Sequence, residues 1–391
     1  MFSLLLAIIY LAFISLGLPD SLLGSAWPVM HIQFGAELSF AGVVSMIIAG
    51  GTIVSSLLSE RMTRRLGTAL VTAFSVALTA AALFGFSFSA SLAQLCLWAL
   101  PYGLGAGAID AALNNYVALH YSSRHMSWLH CFWGVGASIS PYIMGAALSG
   151  SGSWQLGYRS VGMIQIVLTA LLFLSLPLWK RAKTEEDGGS GADGEHPLLG
   201  LRGALKISGV PLILTAFCAY CGAETTAGLW ASSYLVGVRG IRPETAASFA
   251  SLFYLGITFG RFFNGFVADR MGDRRMIRIG VGIMALGILL ILTPLPFDLP
   301  ALAGLVIIGL GCAPVYPSII HATPANFGRE NSQEIIGVQM ASAYVGSTFM
   351  PPFFGLIAQH LSIKLYPVFL ALLLAVLLVM TERLNRLKSV S

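Results

Sequence analysis

Charge is scarce in this chain. Only 10% of its 391 residues are Asp, Glu, Lys or Arg, against about 25% in an ordinary soluble domain. With 56% hydrophobic residues, a soluble fold of this length cannot cover its surface, so the surface must meet lipid. Cysteine is scarce too: Cys96, Cys131, Cys218, Cys221 and Cys312, all inside apolar segments. Cys218 and Cys221 form a CxxC, but no second pair and no nearby histidine completes a metal or redox site. They read as small packing residues, and no disulfide, metal or cofactor is expected. Also missing is a basic stretch ahead of the first apolar run. Met1, Phe2 and Ser3 lead directly into apolar sequence longer than a signal h-region, which predicts a retained first spanning helix. Finally, no nucleophile–base pair is in evidence. His120, His125 and His130 have no matching carboxylate set, so no catalytic residue is assigned.

What is present is a series of long apolar runs. A spanning helix needs roughly 20 mostly apolar residues. Such runs fall at 4–30, 39–59, 68–88, 92–119, 127–149, 159–179, 208–236, 245–268, 276–294, 299–322, 334–358 and 363–381. They predict an all-α membrane protein with twelve spans in a cell membrane, inner or plasma. With both termini placed in the cytoplasm, seventeen Lys and Arg residues fall in inner loops or at inner span ends, and four (Arg159, Arg239, Arg242 and Lys364) fall outside. That asymmetry is the positive-inside pattern. It explains the formal net charge of +5 without nucleic acid, so the expected partners are the bilayer and a small molecule. The chain is expected to act as a monomer.

One gap is long. Residues 183–206 include Thr184-Glu185-Glu186-Asp187-Gly188-Gly189-Ser190-Gly191, too polar and glycine-rich to bury a core. This cytoplasmic linker separates a six-helix bundle at 1–182 from another at 207–391. The halves match each other in order. Ala12-Phe13, Asp20 and Gly24 match Ala216-Phe217, Glu224 and Gly228. Phe40-Ala41, Gly51, Glu60-Arg61-Met62 and Arg65 match Phe249-Ala250, Gly260, Asp269-Arg270-Met271 and Arg274. Gly136, Pro141 and Gly145 match Gly346, Pro351 and Gly355. Six spans return the chain to its starting side, so the bundles are parallel repeats related by a pseudo-twofold axis along the membrane normal. In that plan the substrate site lies near the midplane between them.

The run Gly265-Phe266-Val267-Ala268-Asp269-Arg270-Met271-Gly272-Asp273-Arg274-Arg275 resembles the loop signature of the major facilitator superfamily, G-x-x-x-D-R-x-G-x-R-R. In the first half the copy is degenerate, with Ser56, Glu60 and Thr63 at the glycine, aspartate and second glycine. The resemblance implies a gating loop in each half, with Glu60, Arg61, Asp269, Arg270 and Arg274 as its charged members.

Charges inside a membrane are expensive and point to function. Four stand within spans: Asp20, Asp110, Glu224 and Arg261. They are the candidate coupling groups, with pairing between helices as the plainer alternative. Gly103, Gly107, Asp110 and Asn114 share one helix face, and the glycines permit close approach. A carboxylate kept without a partner in low dielectric holds its proton to higher pH, which suits a proton carrier. Sodium, which also takes carboxylate oxygens, stays open. Asn114, Asn115, His130, Trp133, Trp230, Tyr234, Tyr316 and Gln339 are candidate substrate-binding residues, because amides bond hydroxyls and rings stack on the apolar face of a sugar. Arg261 is expected to pair with Asp110 or Glu224.

Within the superfamily, Gly105-Ala106-Gly107-Ala108-Ile109-Asp110-Ala111-Ala112-Leu113-Asn114 and Leu18-Pro19-Asp20-Ser21-Leu22-Leu23 are similar to motifs of the L-fucose/proton symporter and sodium-dependent glucose transporter-like subfamily. The sequence departs from that subfamily at Asn115 and in carrying Glu224. The resemblance implies a proton-coupled symporter of a sugar or similar small polar solute, working by alternating access, with Asp20 and Asp110 in recognition and coupling. The alternatives are a proton-driven exporter of amphipathic compounds and, from another class, a non-transporting receptor or membrane enzyme.

Overall fold

The computed structural model describes residues 2–37, 40–151, 153–179, 200–241, 243–293 and 298–390. The helices are α1 (Phe2–Gly17), α2 (Leu22–Gln33), α3 (Phe40–Leu66), α4 (Thr68–Phe88), α5 (Leu92–His120), α6 (Ser123–Ser151), α7 (Trp154–Leu174), α8 (Gly200–Lys206), α9 (Val210–Arg239), α10 (Pro243–Met271), α11 (Asp273–Leu292), α12 (Leu299–His321), α13 (Thr323–Phe327), α14 (Ser332–Ile357) and α15 (Tyr366–Val390). No strand occurs among the described residues. Ten helical stretches there are long and apolar enough to cross a membrane, with Leu4–Trp27 and Ser332–Lys388 counted once each. Large apolar side chains such as Phe259, Phe263, Leu286, Leu289 and Leu372 stand exposed on them. A surface of that kind requires lipid: the chain is a multi-pass membrane protein.

Two compact units are present, Met1–Tyr116 with Phe132–Gly200, and Val117–Cys131 with Leu201–Ser391. The expected linker lies outside the described residues through 199, and Gly200–Lys206 is helical. Residues 117–131 group with the second unit rather than with their own half: Trp128 packs on Gly265 and Phe266, and a set of polar contacts adds to it. Asp269 accepts from the Arg124 amide at 2.9 Å and from Ser122 Oγ at 3.0 Å. Asp273 accepts from Ser123 Oγ at 2.7 Å. His321 bridges Asp273 (2.7 Å) and the Tyr121 carbonyl (3.2 Å).

The first predicted span is interrupted. Pro19 has no N–H to give the Ser15 carbonyl, so the helix breaks between α1 and α2. Gln165 of α7, fully buried, donates its amide to that freed carbonyl and accepts from Ser15 Oγ. At the other end of the chain, a π-helix at Ala358–Ser362 and a short 3-10 turn join α14 to α15.

Glycines set the closest approaches. A Cβ on Gly136 of α6 would collide with the Ile14 carbonyl oxygen of α1, and one on Gly346 of α14 would collide with that of Cys218 of α9. Ile14 and Cys218 follow the matched Ala12-Phe13 and Ala216-Phe217, so the repeat is repeated as packing. For α3 and α10 the structure corrects the register. Gly51 sits against Leu100 and Leu104 of α5, and Gly256 sits against Val306 and Leu310 of α12. The counterpart of Gly51 is therefore Gly256, one helical turn from Gly260. The loop agrees: Gly67 (φ 79°, ψ 155°) and Gly272 (φ 76°, ψ 154°) adopt one left-handed conformation, which makes Gly67, not Thr63, the equivalent of the signature's second glycine.

Leucine at Gly136 or Gly346 must push two backbones apart. Each substitution is expected to cost about 1–3 kcal/mol, read as a lower thermal midpoint in detergent. Gly145→Ala, where nothing lies within 4 Å of the added carbon, should leave the midpoint unchanged.

Candidate functional site

The break after α1 presents Asp20. The residue is exposed, yet both of its carboxylate oxygens are engaged. Tyr102 of α5 donates its hydroxyl to Oδ1 at 2.8 Å, and Trp133 of α6 donates its indole N–H to Oδ2 at 2.8 Å. The local sequence makes this possible. Gly17 and Gly136 let α1 and α6 touch backbone to backbone, and Ser21 ties the break to α6 through the Ala137 carbonyl and Ser140. Tyr102, buried at 4% exposure, is held among Phe86 and its neighbours. Sequence reasoning missed it, because only the tertiary fold brings α5 to Asp20.

Asp110 is also in this unit. It is buried, and Asn114 donates to both its side-chain Oδ1 (2.7 Å) and its backbone carbonyl (2.9 Å). Gly103 and Gly107, on the same α5 face, press against the Ile48 and Thr52 carbonyls of α3. Those glycines thus serve helix packing. Asn115, the residue after Asn114, is buried as well.

The second unit holds Glu224, Arg261, Tyr316 and His130 together. Arg261 is 3% exposed. Its Nη2 stands 3.7 Å from Glu224 Oε1, beyond hydrogen-bond length, and its guanidinium lies 5.8 Å over the Tyr316 ring. The Tyr316 ring in turn meets His130 at 4.6 Å and Phe217 at 4.7 Å between centroids. The tightest partner of Glu224 is Tyr220, one turn earlier on α9, which also hydrogen-bonds the Cys312 carbonyl. That i, i+4 spacing is readable in the sequence.

Other candidates are placed elsewhere. Trp230 donates to the Pro351 carbonyl at 3.0 Å. Tyr234 packs on Tyr366. Gln339 is fully buried and accepts from Thr323 at 2.9 Å. In the loops, Glu60 pairs with Arg64 at 3.2 Å, inside α3, while Asp269 holds residues 122–124 as described. Arg61, Arg270 and Arg274 are exposed. Among the described residues no group of three or more His, Cys, Asp or Glu could hold a metal ion.

The sequence model of the Major Facilitator Superfamily matches residues 9–249 and 212–387. The chain belongs to that superfamily. It is a transporter rather than an enzyme. It is 22% identical over 350 residues to the glucose/mannose transporter GlcP of Bacillus subtilis, covering 87% of this chain and 84% of that protein. It is 24% identical over 278 residues to Bypass of stop codon protein 6 of Saccharomyces cerevisiae, covering 66% of this chain and 56% of the yeast protein. The structure of FucP in its outward conformation superposes with a TM-score of 0.76 at 16% identity, over 97% of this chain and 98% of that one. FucP is the fucose:proton symporter of E. coli. The proton:xylose symporter XylE gives 0.76 at 14% identity, over 96% and 94%.

A hydrogen bond to a carboxylate contributes about 1.5–3 kcal/mol. If Asp20 works in this transporter, Tyr102→Phe and Trp133→Phe should each slow uptake about 10- to 100-fold while the protein stays folded. Uptake at the wild-type rate by both variants would remove the clamp on Asp20 from the mechanism.

Proposed function

We propose that this transporter is a symporter that carries a sugar or similar small polar solute together with a proton by alternating access. The reading includes twelve spans in a cell membrane, with both termini and the basic loops in the cytoplasm, and a monomer as the working unit. One observation carries it. Of the three acids within spans, Asp20 is bonded at both carboxylate oxygens by neutral donors, the Tyr102 hydroxyl and the Trp133 indole N–H. An acid held this way can gain or lose a proton without first breaking a close ion pair, whereas a carboxylate locked to arginine is fixed in its charged form. Indole and phenol groups beside a carboxylate also match a polyol, which offers hydroxyls to the acid and C–H faces to the rings. The likeness to the glucose/mannose transporter GlcP and to the sugar:proton symporters FucP and XylE supports the substrate class.

Asp110 is the proposed main coupling acid, since it is the most buried of the three. The test uses purified protein in proteoliposomes, labelled D-glucose, D-mannose, L-fucose and D-xylose, and imposed proton or sodium gradients. The wild type should accumulate at least one of these sugars on a proton gradient. Asp110→Asn should keep its fold and passive exchange but lose that accumulation. Full gradient-driven uptake by Asp110→Asn would take Asp110 out of the coupling step. Accumulation driven by sodium alone would replace the proton.

A further inference from the structure

A phenol has one hydrogen to give. Tyr220 is fully buried, and its oxygen contacts two acceptors: Glu224 Oε2 and, at 2.8 Å, the Cys312 backbone carbonyl of α12. With Glu224 as a carboxylate, a single hydrogen would have to serve both. One contact would then set lone pair against lone pair in a buried site, where an unmade hydrogen bond is costly. A second hydrogen removes the conflict. The neutral acid donates to Tyr220, and Tyr220 donates to the carbonyl.

We infer that Glu224 is a proton-carrying site and that Tyr220 is its positioning residue, converting the protonation of Glu224 into a tether between α9 and α12. This rests on the proton-coupled reading above and adds to it a second site in the other repeat. The charged and titratable groups around Glu224 are Arg261 and Tyr254 on α10, Tyr316 and the Cys312 thiol on α12, and Cys221 on α9 itself. Arg261 stands 3.7 Å from the other carboxylate oxygen, Oε1, and also faces the Tyr220 hydroxyl. When the proton leaves Glu224 for water at its partly exposed edge, the Tyr220 hydrogen turns to the carboxylate. The Cys312 carbonyl loses its tie to α9, and the new negative charge draws Arg261 inward. The affected stretch of α12 is a weak one. Pro314 and Pro317 supply no N–H to the Leu310 and Ala313 carbonyls, and Gly309 and Gly311 bring backbones into contact with α10 and α11. A tether lost here is lost where the helix is least able to hold its own shape.

The test needs no substrate. Infrared difference spectra of the purified protein in lipid nanodiscs, taken between acidic and alkaline buffer, read the C=O stretch of protonated carboxyl groups. Wild type should show a band that vanishes in Glu224→Gln. In Tyr220→Phe the same band should persist but move to higher wavenumber, as for an acid that has lost its hydrogen-bond acceptor. Should Glu224→Gln fail to fold, Glu224→Asp takes its place, and the band must shift. Carboxyl bands identical in wild type and the Glu224 variant overturn the proton site. A band indifferent to Tyr220→Phe overturns the tether. Failure of the symport reading is a separate result: wild-type proteoliposomes would ignore a proton gradient while the infrared result stands.

Discussion

A peptide carbonyl inside a membrane has no water to fall back on, so each one that a helix leaves unpaired must find a donor within the protein. Pro19 creates such a carbonyl at Ser15, and Gln165 answers it. Much of the first unit follows from that exchange. The side chain of Gln165 pins α7 to α1 at a fixed depth. The break it sustains turns the chain just before Asp20, so the carboxylate leaves the helix surface and meets Tyr102 and Trp133. Without the amide, the bend would leave a buried acceptor empty, at a cost of about 1–3 kcal/mol. Without the proline, Asp20 would lie on an unbroken helix.

The second unit reaches a comparable end by other means. Glu224 is the repeat match of Asp20, and Gly346 against Cys218 repeats Gly136 against Ile14. The frame of helix contacts is thus shared while the polar partners are not. Asp20 takes its phenol from a different helix, Tyr102 on α5. Glu224 takes its phenol from its own helix, Tyr220, and faces Arg261 besides. Backbone packing tolerates little change, because a side chain at Gly136 or Gly346 collides with main chain. The residues around the acids carry no such restriction, so divergence between the halves concentrates there.

What the sequence made legible was whatever depends on composition and depth: the membrane class, the two halves, the four charges within spans and the glycines of close approach. Two things stayed out of reach for physical reasons. Shifting one helix against its repeat by a turn keeps every residue on the same face, so matching Gly51 with Gly260 looked as good as matching it with Gly256. Only the contacts with α5 and α12, and the shared backbone of Gly67 and Gly272, tell them apart. Likewise nothing local to Tyr102 marks it as a ligand of Asp20, because the two meet only when α5 packs beside the broken α1. The chemistry of Trp133 suits a sugar contact, and the structure gives its indole N–H to Asp20.

The place of Arg261 follows from the same economy. A guanidinium at 3% exposure must be compensated, and a close two-point pair with a carboxylate is the strongest compensation available. Here the separation from Glu224 is 3.7 Å, and a ring face is shared with Tyr316. A close pair would hold Glu224 charged in every state. A looser one leaves the acid to Tyr220 when it is neutral and claims it when it is not. The distance between the two charges therefore decides whether the pair is a fixed brace or a movable one, and the hydrogen bond that neutral Glu224 gives Tyr220 keeps it movable.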